Sequence, residues 1–234
     1  MKFIRDVIHP VIDFIYPPVC NVCNHLVMRN ELPVCESCWK TLTVVYSSHP
    51  TWIDLKLKFL NRGNVKDLIS CYLFESEGKL QEIIHLLKYK DMKSIGIRLG
   101  RDLGKIILSS PVYSSADYLV PVPLHRLKRR ERGYNQSEFL CQGIIQIIPI
   151  NFVPEFLKRI RYTQSQTKLN IHERIENVEN AFEIHNPYKR FVKDKSFIIV
   201  DDVITTGSTI NACASKLVEY GAASVYAASA ALAK

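Results

Sequence analysis

The 234 residues contain no unbroken apolar run of the about 20 needed to cross a bilayer. The most apolar amino-terminal stretch (Phe3, Ile4, Val7, Ile8, Val11, Ile12, Phe14, Ile15) is broken by Arg5, Asp6, His9, Pro10 and Asp13, which excludes the continuous core of a secretory leader. A cytoplasmic protein is the expectation. Internal repeats and low-complexity tracts are also missing, so nothing indicates a solenoid or a disordered polar chain. Acidic residues are the minority. The 23 of them against 31 lysines and arginines leave a formal charge of +8, which favours an anionic partner (nucleotide, nucleic acid or acidic membrane) without selecting one. A hydrophobic fraction of 47% is enough for a real core, and the length suits one sizeable α/β domain with a small appendage.

Four cysteines stand in a pattern. CNVC (20–23) and CESC (35–38) form C-x2-C, eleven residues, C-x2-C. Two thiolates two residues apart can face one ion from a tight turn, and two such turns complete the tetrahedral shell that Zn²⁺ prefers. Cys20, Cys23, Cys35 and Cys38 are therefore the candidate metal ligands of a closed, structural site. The alternatives are two disulfides, which need an oxidising compartment, or four buried thiols. Asn24 follows the first pair where a turn needs positive φ. His25 reads as a surface residue, and Cys71, Cys141 and Cys213 as small core residues.

The remaining chain alternates strand-like and helix-like stretches. VKDLISCYLFE (65–75), DYLVPVP (117–123), a run near 154–160, AFEI (181–184), SFIIV (196–200) and SVYAASAAL (224–232) read as strands. Apolar residues recur at helical spacing over 78–90, around 99–107, over 135–148 and from Ser208 to Tyr220, with Gly221 as the last helix's natural stop. Residues 41–65 read as a connection. The expectation is a mostly parallel sheet flanked by helices, with ligands at the carboxyl ends of its strands, and limits of 1–50 for a zinc-knuckle domain, 51–65 for a link and 66–234 for the main domain.

FIIVDDVITTGSTI (197–210) carries the sharpest signal. A buried strand delivers Asp201 and Asp202 to that carboxyl edge, and Thr205, Thr206, Gly207, Ser208 and Thr209 lead into a helix. The amino end of a helix offers unpaired N–H groups and a positive dipole to a phosphate. The loop has one glycine and no lysine, so it is not a nucleoside-triphosphate P-loop. Adjacent carboxylates suit vicinal hydroxyls or an ion between them. A diol within a few ångströms of a phosphate describes ribose 5-phosphate; an ordinary helix cap would use only one of these residues.

This stretch resembles the 5-phosphoribosyl-1-pyrophosphate (PRPP) signature of type I phosphoribosyltransferases. With the cysteine pairs ahead of it, and with VPVPLHRLKRRERGYNQSE (120–138) and LKRIRYTQSQTKLNIHERIENVENAF (157–182), the chain resembles the ComF family, ComFC type, associated with natural transformation. Asn180 stands where glycine is expected. The resemblance implies a type I phosphoribosyltransferase-like fold. It places the ribose hydroxyls on Asp201 and Asp202, the 5′-phosphate on Thr205 to Thr209, and Mg²⁺ between pyrophosphate and sugar. It also implies pyrophosphate contacts from Pro123 and Arg132 and a mobile loop bearing Arg159, Arg161, Gln164, Gln166 and Arg174. The basic run of Arg126, Lys128, Arg129, Arg130 and Arg132 reads either as a pyrophosphate contact or as a solvated surface.

Two functions follow. One is Mg²⁺-dependent transfer of phosphoribose to an acceptor that no residue names. The other is a PRPP-binding protein of DNA uptake that handles single-stranded DNA, alone or with other uptake proteins. For that role Arg126, Lys128, Arg129, Arg130 and Lys158 would track the backbone, while Tyr134, Tyr162 and Trp39 would offer stacking faces.

Overall fold

The computed structural model describes residues 16–29, 33–161 and 180–233. Its centre is a five-stranded sheet in the order β1-β7-β6-β2-β3, formed by β1 (Asp67–Phe74), β2 (Tyr118–Pro121), β3 (Asn151–Phe152), β6 (Ser196–Ile204) and β7 (Ser224–Ala233). All its pairings are parallel. A separate antiparallel pair joins β4 (Leu157–Arg159) to β5 (Phe182–Ile184).

A parallel sheet is covered on both faces, so its strands read as continuous apolar runs. Phe197 to Val200 are completely buried. One layer holds helices α3 (Lys79–Tyr89), α4 (Lys93–Leu108) and α7 (Gln136–Ile144) with the cysteine segment, including α1 (Glu36–Lys40). The other holds α2 (Pro50–Arg62), α8 (Ser208–Glu219) and the β4–β5 pair. Two short helices, α5 (Pro111–Ser114) and α6 (Arg126–Arg132), flank β2.

Three local findings differ from the sequence expectations. The connection over 41–65 contains the 13-residue helix α2. Its turn-like residues are helix punctuation: Pro50 occupies the first turn, where its missing N–H costs nothing, His49 caps it through Nδ1 to Thr51 N–H at 3.2 Å, and Gly63 ends it at φ 73°. The basic run after Pro123, to which the sequence reading assigns no element, forms helix α6, capped by His125 and ended by Gly133 at φ 76°. Strand β6 does not stop at Val200 but runs through both acids to Ile204.

Side chains of a pleated strand alternate between faces. In β6, Phe197 and Ile199 enter the α8 layer while Ile198 and Val200 enter the α3 layer; beyond the acids, Val203 joins the α3 layer and Ile204 the α8 layer. The alternation has slipped by one residue. It slips at the same level in β7, at Ala230–Ala231, and in β1, at Cys71–Tyr72. Close backbone approach then fixes α7 against α4, because a Cβ on Gly100 would lie 2.0 Å from the Leu140 carbonyl oxygen and one on Gly143 2.2 Å from that of Ile97. The amino end of α7 is thereby held beside the acids.

Candidate ligand site and metal centre

Cys20, Cys23, Cys35 and Cys38 converge, their sulfurs all within 4.8 Å of one another. The Cys20–Cys38 sulfur separation is 3.9 Å and the Cys23–Cys35 separation 3.7 Å. Zinc–sulfur bonds of about 2.3 Å in a regular tetrahedron require sulfur–sulfur edges of about 3.8 Å, which these two separations match. Asn24 adopts φ 57°, as its place after the first pair predicts, and its N–H donates to the Cys20 carbonyl at 2.9 Å. Burial raises the Cys20 thiol, but backbone N–H groups of Cys35, Cys23 and Val22 outweigh it and bring the group down to about 6. Desolvation pushes Cys38 the other way. His25 is exposed, and Cys71, Cys141 and Cys213 are buried, as expected.

The second site sits at the carboxyl end of β6. Asp201, Thr205, Thr206, Gly207, Ser208 and Thr209 line one small cavity of about 30 Å³ at the amino end of α8. Gly207 caps that helix at φ 73°. A Cβ there would come within 2.6 Å of Phe59 Cε1, and Phe59 is itself a buried residue of α2. The loop is therefore pressed onto α2, and Asn64 Nδ2 donates to Asn211 Oδ1 at 3.3 Å from the same direction. Within the loop the Thr206 and Ser208 hydroxyls are 3.0 Å apart. The first-turn N–H groups of a helix have no intrahelical acceptor, which leaves donors and hydroxyls facing one spot.

The carboxylates are held individually. Asp202 N–H donates to Asp201 Oδ1 and Val203 N–H to Asp202 Oδ1, both at 2.9 Å. Ser137 Oγ donates to Asp201 Oδ1 at 3.3 Å from the amino end of α7. Lys88 Nζ, on the last turn of α3, lies 2.6 Å from Asp202 Oδ2. Asp202 is 4% exposed. Asp201 is lifted to about 8, first by desolvation and then by the Asp202 charge, while Lys88 pulls it down. Lys88 and Ser137 carried no signal in the sequence, since a lone lysine on an amphipathic helix reads as surface charge.

The other expected residues lie elsewhere. Pro123, Arg126, Arg129, Lys158 and Arg159 line a second cavity of about 500 Å³, with His125, Asn135 and Glu138. Arg129 is paired to Glu138 at 3.0 Å, and Arg159 lies over the Phe182 ring at 5.3 Å. No described residue lines both cavities, but hydrogen bonds link them: Asn135 of the second cavity donates through Nδ2 to the Val122 carbonyl at 3.0 Å and accepts through Oδ1 from the N–H of Ser137, whose hydroxyl meets Asp201. Arg132 lines neither cavity; it stacks on Tyr89 at 5.1 Å and donates to Gln136 Oε1 at 3.0 Å. Lys128 and Arg130 line neither as well, and Arg130 and Arg161 are exposed. Tyr162, Gln164, Gln166 and Arg174 lie outside the described residues.

Two expected stacking faces are corrected. Trp39 is buried under the Arg98 guanidinium. Tyr134 is buried, donates its hydroxyl to the Leu87 carbonyl and meets Phe139 edge-on. Each ring fills a core, which an aromatic beside an arginine does as readily as it stacks on a base.

Residues 139–234 match the phosphoribosyl transferase domain family and residues 11–50 the double zinc ribbon domain family. "DNA utilization protein YhgH" of Escherichia coli (strain K12) is 35% identical over 149 residues, covering 62% of this chain and 64% of its own length. "Competence protein F" of Haemophilus influenzae is 35% identical over 108 residues, 44% of each chain. "Competence protein ComFC" of Bacillus subtilis (strain 168) is 31% identical over 116 residues, 49% of this chain and 44% of its own. The chain thus spans less than two thirds of the length of these relatives. The family match and the parallel sheet give a phosphoribosyltransferase fold behind a zinc ribbon. The ribbon match and the four-cysteine cluster together support a structural zinc ion.

Proposed function

From the premise that this chain is a homologue of competence protein F, ComFC and YhgH, carrying a phosphoribosyltransferase-type domain and a double zinc ribbon, we propose that it is a cytoplasmic PRPP-binding protein of DNA uptake and utilization. The observation that carries this reading is the joining, in one small cavity, of Asp201 with the hydroxyl loop and the amino end of α8, with Asp202 adjacent.

Asp201 and Asp202 accept the ribose 2′ and 3′ hydroxyls, and Thr205 to Thr209 hold the 5′-phosphate by backbone and hydroxyl donors. Pyrophosphate extends toward Pro123 and the cavity lined by Arg126, Arg129, Lys158 and Arg159. Mg²⁺ arrives with the pyrophosphate, since the cation requires its own waters and phosphate oxygens more than a protein cage. Where an acceptor is available, the chain's contribution to transfer is positioning and charge stabilisation of the leaving pyrophosphate. Within this reading residues 1–50 form the zinc unit, 51–65 the helical link and 66–234 the ligand-binding domain.

Single-stranded DNA is the proposed macromolecular partner. The support is the gathering of Arg126, Arg129, Lys158 and Arg159 on one concave surface and the similarity to proteins named for DNA utilization and competence. Binding through phosphates without buried stacking platforms should fall steeply with salt. A metabolic transferase acting on a small acceptor is the competing reading.

A melting series with PRPP and Mg²⁺ tests the ligand. A ligand at a hundred times its Kd stabilises by about 2.7 kcal/mol, so the parent melts several degrees higher, and Asp201→Asn with Asp202→Asn loses the rise. A parent unmoved by PRPP contradicts the reading. Pyrophosphate release on adding bases and oligonucleotides, with a gel-shift salt series alongside, separates the transferase from the DNA-handling role.

A further inference from the structure

The proposed PRPP site contains two carboxylates from β6 and a ring of hydroxyls, yet its one described charged contact on Asp202 comes from the opposite layer. Lys88 reaches across from the last turn of α3 to within 2.6 Å of Asp202 Oδ2, with the lysine side chain 22% exposed and the aspartate side chain 5%. A structural clamp would be the ordinary explanation of such a pair. Helix α3, however, is already anchored by Leu80, Ile83, Ile84, Leu86 and Leu87, all buried. A buried ion pair offsets its desolvation cost only in part, so an anchored helix has little to gain from one. A carboxylate that must hold one orientation beside a second acid and a ligand loop has much more to gain.

We propose that Lys88 is a positioning residue of the ligand site: its ammonium holds the Asp202 carboxylate in one orientation, so that the acid pair can accept the sugar diol, and helix α3 becomes a wall of that site. The inference rests on PRPP being the ligand. Among the described residues, Ser137 from α7 bonds Asp201 and Lys88 pairs with Asp202, while the buried Cys213 thiol of α8 lies within reach of the Asp201 charge. Lys88 is thus the cation that faces the pair from α3, and its charge opposes the desolvation that lifts Asp201. Asp202 Oδ1 accepts from the Val203 N–H at 2.9 Å, while the buried Oδ2 has the Lys88 ammonium beside it as its counter-charge, so the two contacts hold the carboxylate from both sides.

Titration of PRPP with Mg²⁺ into the parent, Lys88→Met and Lys88→Arg across pH 6 to 9 tests this. Loss of the cation should weaken Lys88→Met by about tenfold or more at neutral pH. It should also move the pH of half-developed binding upward, because Asp201 then loses the positive charge that favours its ionised form. Lys88→Arg, which keeps the charge, should stay within about threefold of the parent. A clamp alone would lower the melting temperature without moving the pH midpoint. Should Lys88→Met not fold, acylation of the parent's lysines replaces it: PRPP should slow modification of Lys88 and leave the exposed Lys40 unchanged. Parent-like affinity and pH midpoint in Lys88→Met, or equal Lys88 acylation with and without PRPP, would overturn the role of Lys88. A parent that does not bind PRPP fails at the earlier step, so the two failures are distinguishable.

Discussion

The four thiols of the ribbon and the two carboxylates of β6 pose the same physical problem: groups that carry like charge are held within a few ångströms of one another. The two regions solve it differently. At the cysteines, ligands separated by at most 18 residues meet in a closed shell whose edges match a zinc tetrahedron, and the counter-charge is the ion. At the acids, the chain supplies Lys88 from 114 positions away, and the remaining face of the pair opens onto a hydroxyl-lined loop. A metal closes a site, whereas a lysine on one side leaves room for a ligand on the other.

Removing zinc should have the largest effect. Structural zinc in small modules is worth on the order of 10 kcal/mol, and Cys20, Cys35 and Cys38 share a core with Trp39, Leu42 and the buried residues of α3. Cys20→Ser with Cys35→Ser should therefore take metal content from one ion per chain to none and unfold the ribbon. An unchanged melting curve would break the comparison on its metal side. Next comes Gly207→Ala, which places a Cβ at positive φ and against Phe59. It should cost about 1–3 kcal/mol in denaturant unfolding, and Phe59→Leu should recover part of the loss in a double-mutant cycle.

The pH dependence has a definite sign. Asp201 in the folded protein titrates near 8, well above an ordinary carboxyl, so the folded state holds a proton that the unfolded chain releases. Its contribution is favourable below about pH 4 and is lost as pH rises toward 8. Stability measured over that window should slope downward, and Asp201→Asn should flatten the slope. The smallest change is expected at the exposed cations. Arg130→Ala and Lys158→Ala should each reduce the salt slope of oligonucleotide binding by about one, with no change in stability.

Contiguity decides how much of this was legible in the sequence. The cysteine shell and the strand-loop-helix of 197–210 lie within short windows, so spacing alone exposed both. Gly221 could be read as a stop, and its N–H and that of Ala222 do close α8 on Val218 and Leu217. Helix α2 was hidden because Pro50 and Gly63 mark loops in most contexts and caps in this one. Lys88, Ser137 and Phe59 were invisible because their partners are brought by the sheet and by packing: Ser137 and Asp201 are 64 residues apart. Tyr134 and Trp39 misled for a related reason, since exposure belongs to the tertiary fold and not to a residue's neighbours in sequence.

The most direct measurement is a crystal structure with PRPP and Mg²⁺. The account predicts the 5′-phosphate at the backbone N–H groups of Gly207 to Thr209, with the ribose hydroxyls on Asp201 and Asp202 beside the Lys88 ammonium. PRPP seated instead wholly among Arg126, Arg129 and Lys158, with the acid pair still closed on its own backbone, would contradict it.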